Sequence, residues 1–352
     1  MNFVLAAAIV LSYISVYADP EAFWILAFFG LSYPFILLFN ILFILFWIYR
    51  KNRLFLLSLI AILLGWNHLR SFIQFPLRKM SPETQNSFTV LSYNVRLFNL
   101  YNWNKENNTH DKIFDFINKN EIDIICFQEF LSHTGDGHLT EKEIQKKLEN
   151  KYNAHFGYSF INTKSNYGIA TFSKYPIVKK GLIKFSNTSN ISIYTDIVIN
   201  KDTIRVFNNH LQSIRFNKNN YSLINNSKVL NDDTKIKEVK DIFGRLKEAF
   251  IKRATQAEIL STYISSSPYP VMVCGDFNDT PVSYTYNTMK GNLKDSFIES
   301  GKGIGNTYIG KFPSFRIDFV FFSDKLECRK FVVPKIKHSD HYPVMGRYAI
   351  SN

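Results

Sequence analysis

The sequence predicts an α/β domain behind an apolar, helical N-terminal segment, and three observations carry that prediction. Leu, Ile, Phe, Ala and Val dominate the first eighty residues, whereas the remainder mixes polar and apolar residues in ordinary proportion. Beyond residue 88, short runs rich in β-branched and aromatic residues alternate with stretches whose apolar residues recur at helical spacing. Most of the short runs end on a polar residue, where a loop should begin. With 46% hydrophobic and 20% charged residues among 352, a disordered or collagen-like chain is excluded, and there is room for more than one domain.

Residues 2–18, 23–49 and 54–70 read as membrane-spanning helices. The middle run exceeds the roughly 20 residues that a hydrocarbon core requires. The third reaches that length only by continuing through Asn67, His68 and Leu69, with Trp66 and Arg70 as interfacial anchors. Three helices are expected, with two as the alternative. A secretory signal over residues 1–18 is suggested by Val16 and Ala18 before Asp19, and opposed by the missing Lys or Arg near Met1. The cluster Arg50, Lys51 and Arg53 marks the cytoplasmic side and so puts everything after a third crossing outside, although Arg70, Arg78 and Lys79 pull the other way. The expectation is an integral membrane protein: residues 1–70 as anchor, 71–87 as linker, and an extracytoplasmic domain over 88–350.

Residues 80–352 carry 36 Lys+Arg against 27 Asp+Glu, an excess of nine within the chain's +13. That favours polyanions or anionic lipid surfaces as partners, and is also compatible with a solvated basic face. Cys126, Cys274 and Cys328 are too few for a disulfide framework and have no metal-binding spacing, so they read as small core residues.

Within this part, FTVLSYNV (88–95) and IDIICFQE (122–129) read as strands on either side of a helix over 111–120. A second helix is expected over 139–149. Strands follow in GIATFSKYPI, ISIYTDIVI and TIRVFNNHL. An Asn/Lys-rich stretch over 216–236 reads as a surface insertion, a helix as covering 244–263, and PVMVCGDFN and RIDFVFF as the last strands.

The chemistry gathers at strand ends: Asn94 in SYN, Glu129 in FQE, His210 in NNH, Asp276 and Asn278 in GDFN, Asp318 in RIDF, then Ser339-Asp340-His341. Strand ends converge on one rim of a sheet. Carboxylates, an amide and two imidazoles there would suit a hard divalent cation and an attacking water, because Mg²⁺ prefers a few oxygen ligands and keeps waters for substrate phosphate. Each residue alone has a plainer explanation as a turn cap, exposed acid or ion-pair member. Their joint placement is harder to explain that way. Asp276 and Asn278, two apart in a strand, would point to the same side. His110, His133, His138 and His155 have no partner at metal spacing and read as surface or loop residues, as does His338.

The segments SYN, FQE, YGIATFSKYPI, NNHL, GDFND, RIDFVFF and SDHYP, in this order over residues 88–348, resemble the endonuclease/exonuclease/phosphatase superfamily. The resemblance implies a two-sheet α/β sandwich with its active site at one rim. It implies Glu129 as principal metal carboxylate beside Asn94 and Asp340, with Mg²⁺, or alternatively Mn²⁺, as the ion. Asp276 and Asn278 would align or deprotonate water. His341 would hydrogen-bond the scissile phosphate, oriented by Asp318, and His210 would donate to that phosphate or its leaving oxygen. Asp276 as a ligand, and a second metal recruiting Asn278, remain alternatives.

The expected function is therefore hydrolysis of phosphodiesters by metal-assisted in-line water attack, nuclease-like, with a lipid headgroup phosphodiesterase or phosphoinositide-type phosphatase as the alternative. No protein partner is expected. A nuclease should show basic residues around its groove, for which Lys164, Lys174, Lys179, Lys180, Arg215, Lys218 and Arg316 are candidates.

Overall fold

The structure, a computed structural model, describes residues 1–75, 87–103, 107–135, 139–217, 219–220, 232–310 and 313–351. The expected linker, the insertion, His138 and Lys218 fall wholly or largely outside these residues. Two compact units are present. One comprises Phe72–Leu211, Thr262–Phe277 and Lys290–Asn352; the other comprises Met1–Ser71, Gln212–Ser261 and Asn278–Met289. The packing thus groups two later stretches with the N-terminal segment, across the boundary expected near residue 88.

Among the described residues the first unit contains fourteen strands: β1 (Ile73–Gln74), β2 (Ser87–Asn94), β3 (Ile124–His133), β4 (Asn153–Ile161), β5 (Ser165–Ser173), β6 (Ile177–Lys184) and β7 (Ile191–Ile199), then β8 (Asp202–His210), β9 (Val271–Asp276), β10 (Lys294–Asp295), β11 (Gly303–Ile304), β12 (Asp318–Phe322), β13 (Leu326–Val332) and β14 (Val344–Ile350). Two six-stranded sheets result, in the orders β10-β12-β9-β8-β7-β6 and β13-β14-β2-β3-β5-β4, and β1 pairs with β11. The run GIATFSKYPI covers the end of β5 and the start of β6 rather than one strand.

Strands β2 and β3 read as unbroken apolar runs because both of their faces are buried. Phe88 and Val90 of β2, with Ile124 and Cys126 of β3, share a core with Ile197, Val206, Met272, Cys274 and Val320 of the other sheet. The alternate residues Leu91, Tyr93, Ile125 and Phe127 pack with Ile113, Phe114 and Ile117 of the helix Thr109–Lys119. All three cysteines are free, buried members of the inter-sheet core. His155 is a correction: it is buried on β4, its Nδ1 2.8 Å from Thr195 Oγ1, rather than on the surface.

In the other unit the expected spans are replaced by shorter helices. Asn2–Ile14 is followed by Pro20–Leu31 and Tyr33–Tyr49, bent by 49° to each other, and by Phe55–Leu64 and Trp66–Phe72, bent by 76°. No single helix among the described residues is long and apolar enough to cross a membrane, although the two bent pairs reach that length together. The bends have local causes. Gly30 precedes the first, where an added Cβ would lie 2.2 Å from the Val282 carbonyl oxygen, and Pro34 opens the next helix. Gly65 marks the second, where a Cβ would collide with the Tyr13 ring.

The interior of these helices is polar and small-residue rich. Asn2, Ser12, Ser58 and Asn40 are buried; Ser58 Oγ donates to Asn2 Oδ1 at 2.6 Å, and Asn40 Nδ2 to the Leu5 carbonyl at 3.1 Å. Phe3, Val10, Phe35, Leu38, Phe39, Leu42, Leu45, Ile48, Leu56 and Ile60 are exposed. The long helix Asp232–Ser265 belongs to this unit as far as Ser261, and its Phe243 and Phe250 rings stand 5.0 and 5.2 Å from Phe28.

Candidate active site

Strand register brings the chemistry of the first unit together. His210, last in the parallel strand β8, pairs with Asp276, last in β9, and Asp276 pairs in turn with Asp318, first in β12. Three functional side chains thus lie side by side across three strands of one sheet. Gly275 permits this register: its φ of +144° is open only to glycine, and a Cβ would lie 2.0 Å from the Asn209 carbonyl oxygen.

The other sheet supplies Asn94 at the end of β2 and Glu129 within β3. The register of β3 slips between Phe127 and Phe130, and Glu129 takes a φ of +46°, an uncommon conformation for a residue with a side chain. This bulge re-aims Glu129 out of the pleat. Asn94 Nδ2 donates to Glu129 Oε1 at 3.3 Å and to Asp276 Oδ2 at 2.9 Å, joining the two sheets' contributions. His210 Nε2 lies 3.7 Å from Glu129 Oε1 and 3.9 Å from Asp276 Oδ2.

His341 Nδ1 is 2.9 Å from Asp318 Oδ2, and its Nε2 is 3.7 Å from Asp276 Oδ2. Burial alone would push this imidazole down, but the carboxylates of Asp318 and Asp276 and the Asp318 hydrogen bond outweigh it and hold the ring well above its ordinary pKa. The shift favours the protonated ring, in which Nδ1–H would donate to Asp318. Burial, aided by the Asp318 charge, pushes the Asp276 carboxyl up to about 6 against the pull of His341, His210 and Asn94.

The site residues expected from sequence therefore meet, with three qualifications. Asn278 lies in the other compact unit, beyond the end of β9 and at a φ of +53°, so the strand alternation expected to align it with Asp276 does not apply. Asp340 pairs with Arg96 at 2.7 Å. Arg316 is a core residue rather than a groove residue, 2% exposed, paired with Asp295 at 2.8 Å and stacked on Phe297 and Phe319. Of the other basic candidates, Lys164 stands in the β4–β5 turn, at the end of β5 opposite His133 of β3. Lys174 follows the far end of β5 and pairs with Asp123 at 3.2 Å, while Lys179 and Lys180 lie along β6, an edge strand.

Arg96, Thr307 and Tyr308 carried no signal in sequence. Arg96 N donates to Asn94 Oδ1 at 3.0 Å, and its guanidinium lies over Trp103. Thr307 Oγ1 accepts from Asp318 N at 3.1 Å, and the Tyr308 ring meets His341 edge-on at 5.3 Å. Only Arg96, two residues after Asn94, was within reach of a motif.

The donor chemistry fits a divalent cation. Burial and the neighbouring Asp340 charge push the Glu129 carboxyl up, against His341, Asn94 and Arg96. The Glu129 and Asp340 carboxylates repel each other, a repulsion that a hard cation would relieve, although Asp340 is paired with Arg96 and the Asn94 oxygen accepts from the Arg96 backbone N–H. Donor atoms of Asp276, Asp318 and His341 also lie within 4.8 Å of one another. In that trio His341 Nδ1 is already engaged by Asp318 at 2.9 Å.

Known proteins bear on this geometry. Residues 91–341 match the Endonuclease/Exonuclease/phosphatase family, and residues 1–72 match a domain of unknown function (DUF8431). No curated protein matches the chain. Among solved structures, an endonuclease/exonuclease/phosphatase family protein from Bacteroides thetaiotaomicron is 17% identical with a TM-score of 0.55, covering 77% of this chain and 100% of that one. Humanized D. rerio TDP2 is 12% identical, TM-score 0.54, covering 75% and 99%; the human Nocturnin catalytic domain with bound sulfate is 16% identical, TM-score 0.53, covering 77% and 97%. At these identities the likeness is one of fold. The family match spans most of the chain: the protein belongs to the Endonuclease/Exonuclease/phosphatase family and is a metal-dependent hydrolase of phosphate ester bonds.

Proposed function

We propose that the protein is a membrane-attached, Mg²⁺-dependent phosphodiesterase, acting on nucleic acid by in-line attack of water. The observation that carries the reaction is the His341 ring, held by Asp318 at 2.9 Å with Asp276 at 3.7 Å and Asn94 bridging Asp276 to Glu129. In this reading His341 donates to a non-bridging phosphate oxygen, and ionised Asp276 takes a proton from the attacking water. His210 donates to the leaving oxygen. Mg²⁺, held by Glu129, Asn94 and Asp340, with Mn²⁺ as the alternative ion, would neutralise charge on the phosphate. Purified protein should cleave plasmid DNA or RNA with Mg²⁺ and lose that activity in EDTA and in Asp276→Ala; full activity of Asp276→Ala would sink the assignment.

A lipid phosphodiester is the second reading, and the apolar exterior of residues 1–72 favours it. Phe and Leu exposed around an interior that holds Asn2, Ser12, Asn40 and Ser58 alongside Ile9, Tyr33 and Leu37 support a lipid-embedded reading. We read this segment as embedded, and Arg50, Lys51 and Arg53 as cytoplasmic, which puts the catalytic domain outside the cytoplasm if the bent pair Phe55–Phe72 crosses. A C-terminal reporter active only in the cytoplasm should then stay silent. A signal from it would place the domain inside.

A further inference from the structure

A buried cation close in sequence to the site is left unused by the chemistry above. Arg253, on the helix Asp232–Ser265, is 1% exposed. Its Nε donates to Asp279 Oδ2 at 3.0 Å and its Nη1 to the Gln212 carbonyl at 3.0 Å. Three residues on, Gln256 Oε1 accepts from the Gln212 backbone N–H at 2.9 Å, so adjacent side chains on one helix face hold both polar groups of the Gln212 backbone. These residues all belong to one compact unit.

Their place in the chain gives the arrangement its meaning. Gln212 stands two residues after His210, and Asp279 three residues after Asp276. One guanidinium therefore ties the two segments by which β8 and β9 leave their sheet. The planar fork of arginine suits this better than lysine, since it directs rigid N–H groups at two acceptors. Stability is a poor explanation for such a pair, because the cost of desolvating two buried charges largely cancels their attraction. The helix itself is seated on the N-terminal segment, through Phe243 and Phe250 on Phe28 and through Lys247, whose Nζ lies 4.8 Å over Trp24.

We infer that Arg253, seconded by Gln256, is a positioning residue: by fixing Gln212 and Asp279 it sets the backbone that aims His210 and Asp276. The inference rests on the site reading above. Its corollary is that the N-terminal segment serves catalysis through the helix it supports, and not as an anchor alone.

The test uses the full-length protein in detergent, with Mg²⁺ and a soluble phosphodiester, and measures kcat, KM and the thermal midpoint. Arg253→Lys keeps the charge but cannot serve both acceptors, and should lower kcat about tenfold with KM within twofold. The double variant Arg253→Met/Asp279→Leu removes the ion pair without leaving a buried charge. It should melt within a few degrees of wild type yet keep the kcat loss. Should that variant not fold, Gln256→Met, which removes only the acceptor for the Gln212 N–H, should lower kcat severalfold. Wild-type kcat in Arg253→Lys, or recovery of kcat together with stability in the double variant, would overturn the inference. Asp276→Asn separates the two readings. Activity lost there but kept in the Arg253 variants removes the positioning role alone, whereas activity kept in Asp276→Asn removes the site reading and the inference with it.

Discussion

His341 Nδ1 and Asp318 Oδ2 are 2.9 Å apart in a buried pair, with Asp276 on the other side of the ring. The arrangement favours the protonated imidazole and fixes its orientation, while leaving Nε2 as the ring atom open to a phosphate oxygen. Asp318→Asn would keep the shape but remove the charge that holds the proton. We expect kcat to fall roughly 10²-fold with the fold intact, as loss of a positioned proton donor does. Steady-state kinetics at pH 7 check this, and a fall under threefold would remove Asp318 from the mechanism.

Glu129 sits on a bulge, at a positive φ, beside Asp340 and Asn94. Glu129→Gln keeps the volume and removes the charge a cation needs. Activity should become undetectable at low millimolar Mg²⁺, with any residual activity displaced to higher metal concentration. An Mg²⁺ titration of wild type and variant compares the two midpoints; coincident midpoints would place the cation elsewhere.

Gly275→Ala should be among the most damaging single changes in the chain. The added methyl would meet the Asn209 carbonyl at 2.0 Å, in a backbone conformation that only glycine adopts readily. The strand register that aligns His210 with Asp276 depends on this approach. A loss of about 3 kcal/mol or more is expected, seen as a lowered thermal midpoint or insoluble expression.

Much of this site was legible in sequence because strand ends carry its residues, and a strand of β-branched and aromatic residues ending in a polar one can be read locally. Asn94, His210 and Asp276 each close a strand in this way. Local reading failed where tertiary packing decides. Nothing in FQEFLSH announces the bulge at Glu129, since it arises from pairing with β5, and strands β4, β13 and β14 lack a distinct local pattern. Arg316 looked like a groove cation because charge shows in sequence and burial does not. The N-terminal spans read as straight because composition records apolarity, whereas the bends depend on what Gly30 and Gly65 meet in space.

His155 gives a pH dependence of stability. Burial, aided by the nearby Lys180 charge, lowers its pKa to about 4, below the roughly 6.5 of an unfolded histidine. The unfolded chain therefore takes up the proton first. This contribution to stability is complete above pH 6.5, erodes as pH falls from there toward 4, and levels off below. Its size is about 3 kcal/mol, since each pH unit between about 6.5 and about 4 corresponds to roughly 1.4 kcal/mol. The fall in thermal midpoint between pH 7.5 and 4.5 should be smaller in His155→Gln than in wild type, and an equal fall in both would refute the assignment.

The most direct test of the account is hydrolysis by the full-length protein on plasmid DNA, RNA, sphingomyelin and a phosphoinositide in parallel, with Mg²⁺ or EDTA, and with Glu129→Ala as control. The account predicts cleavage of nucleic acid that EDTA and Glu129→Ala both abolish. Headgroup release from lipid alone would transfer the site to the second reading. Hydrolysis that survives EDTA and Glu129→Ala would contradict the metal-dependent mechanism itself.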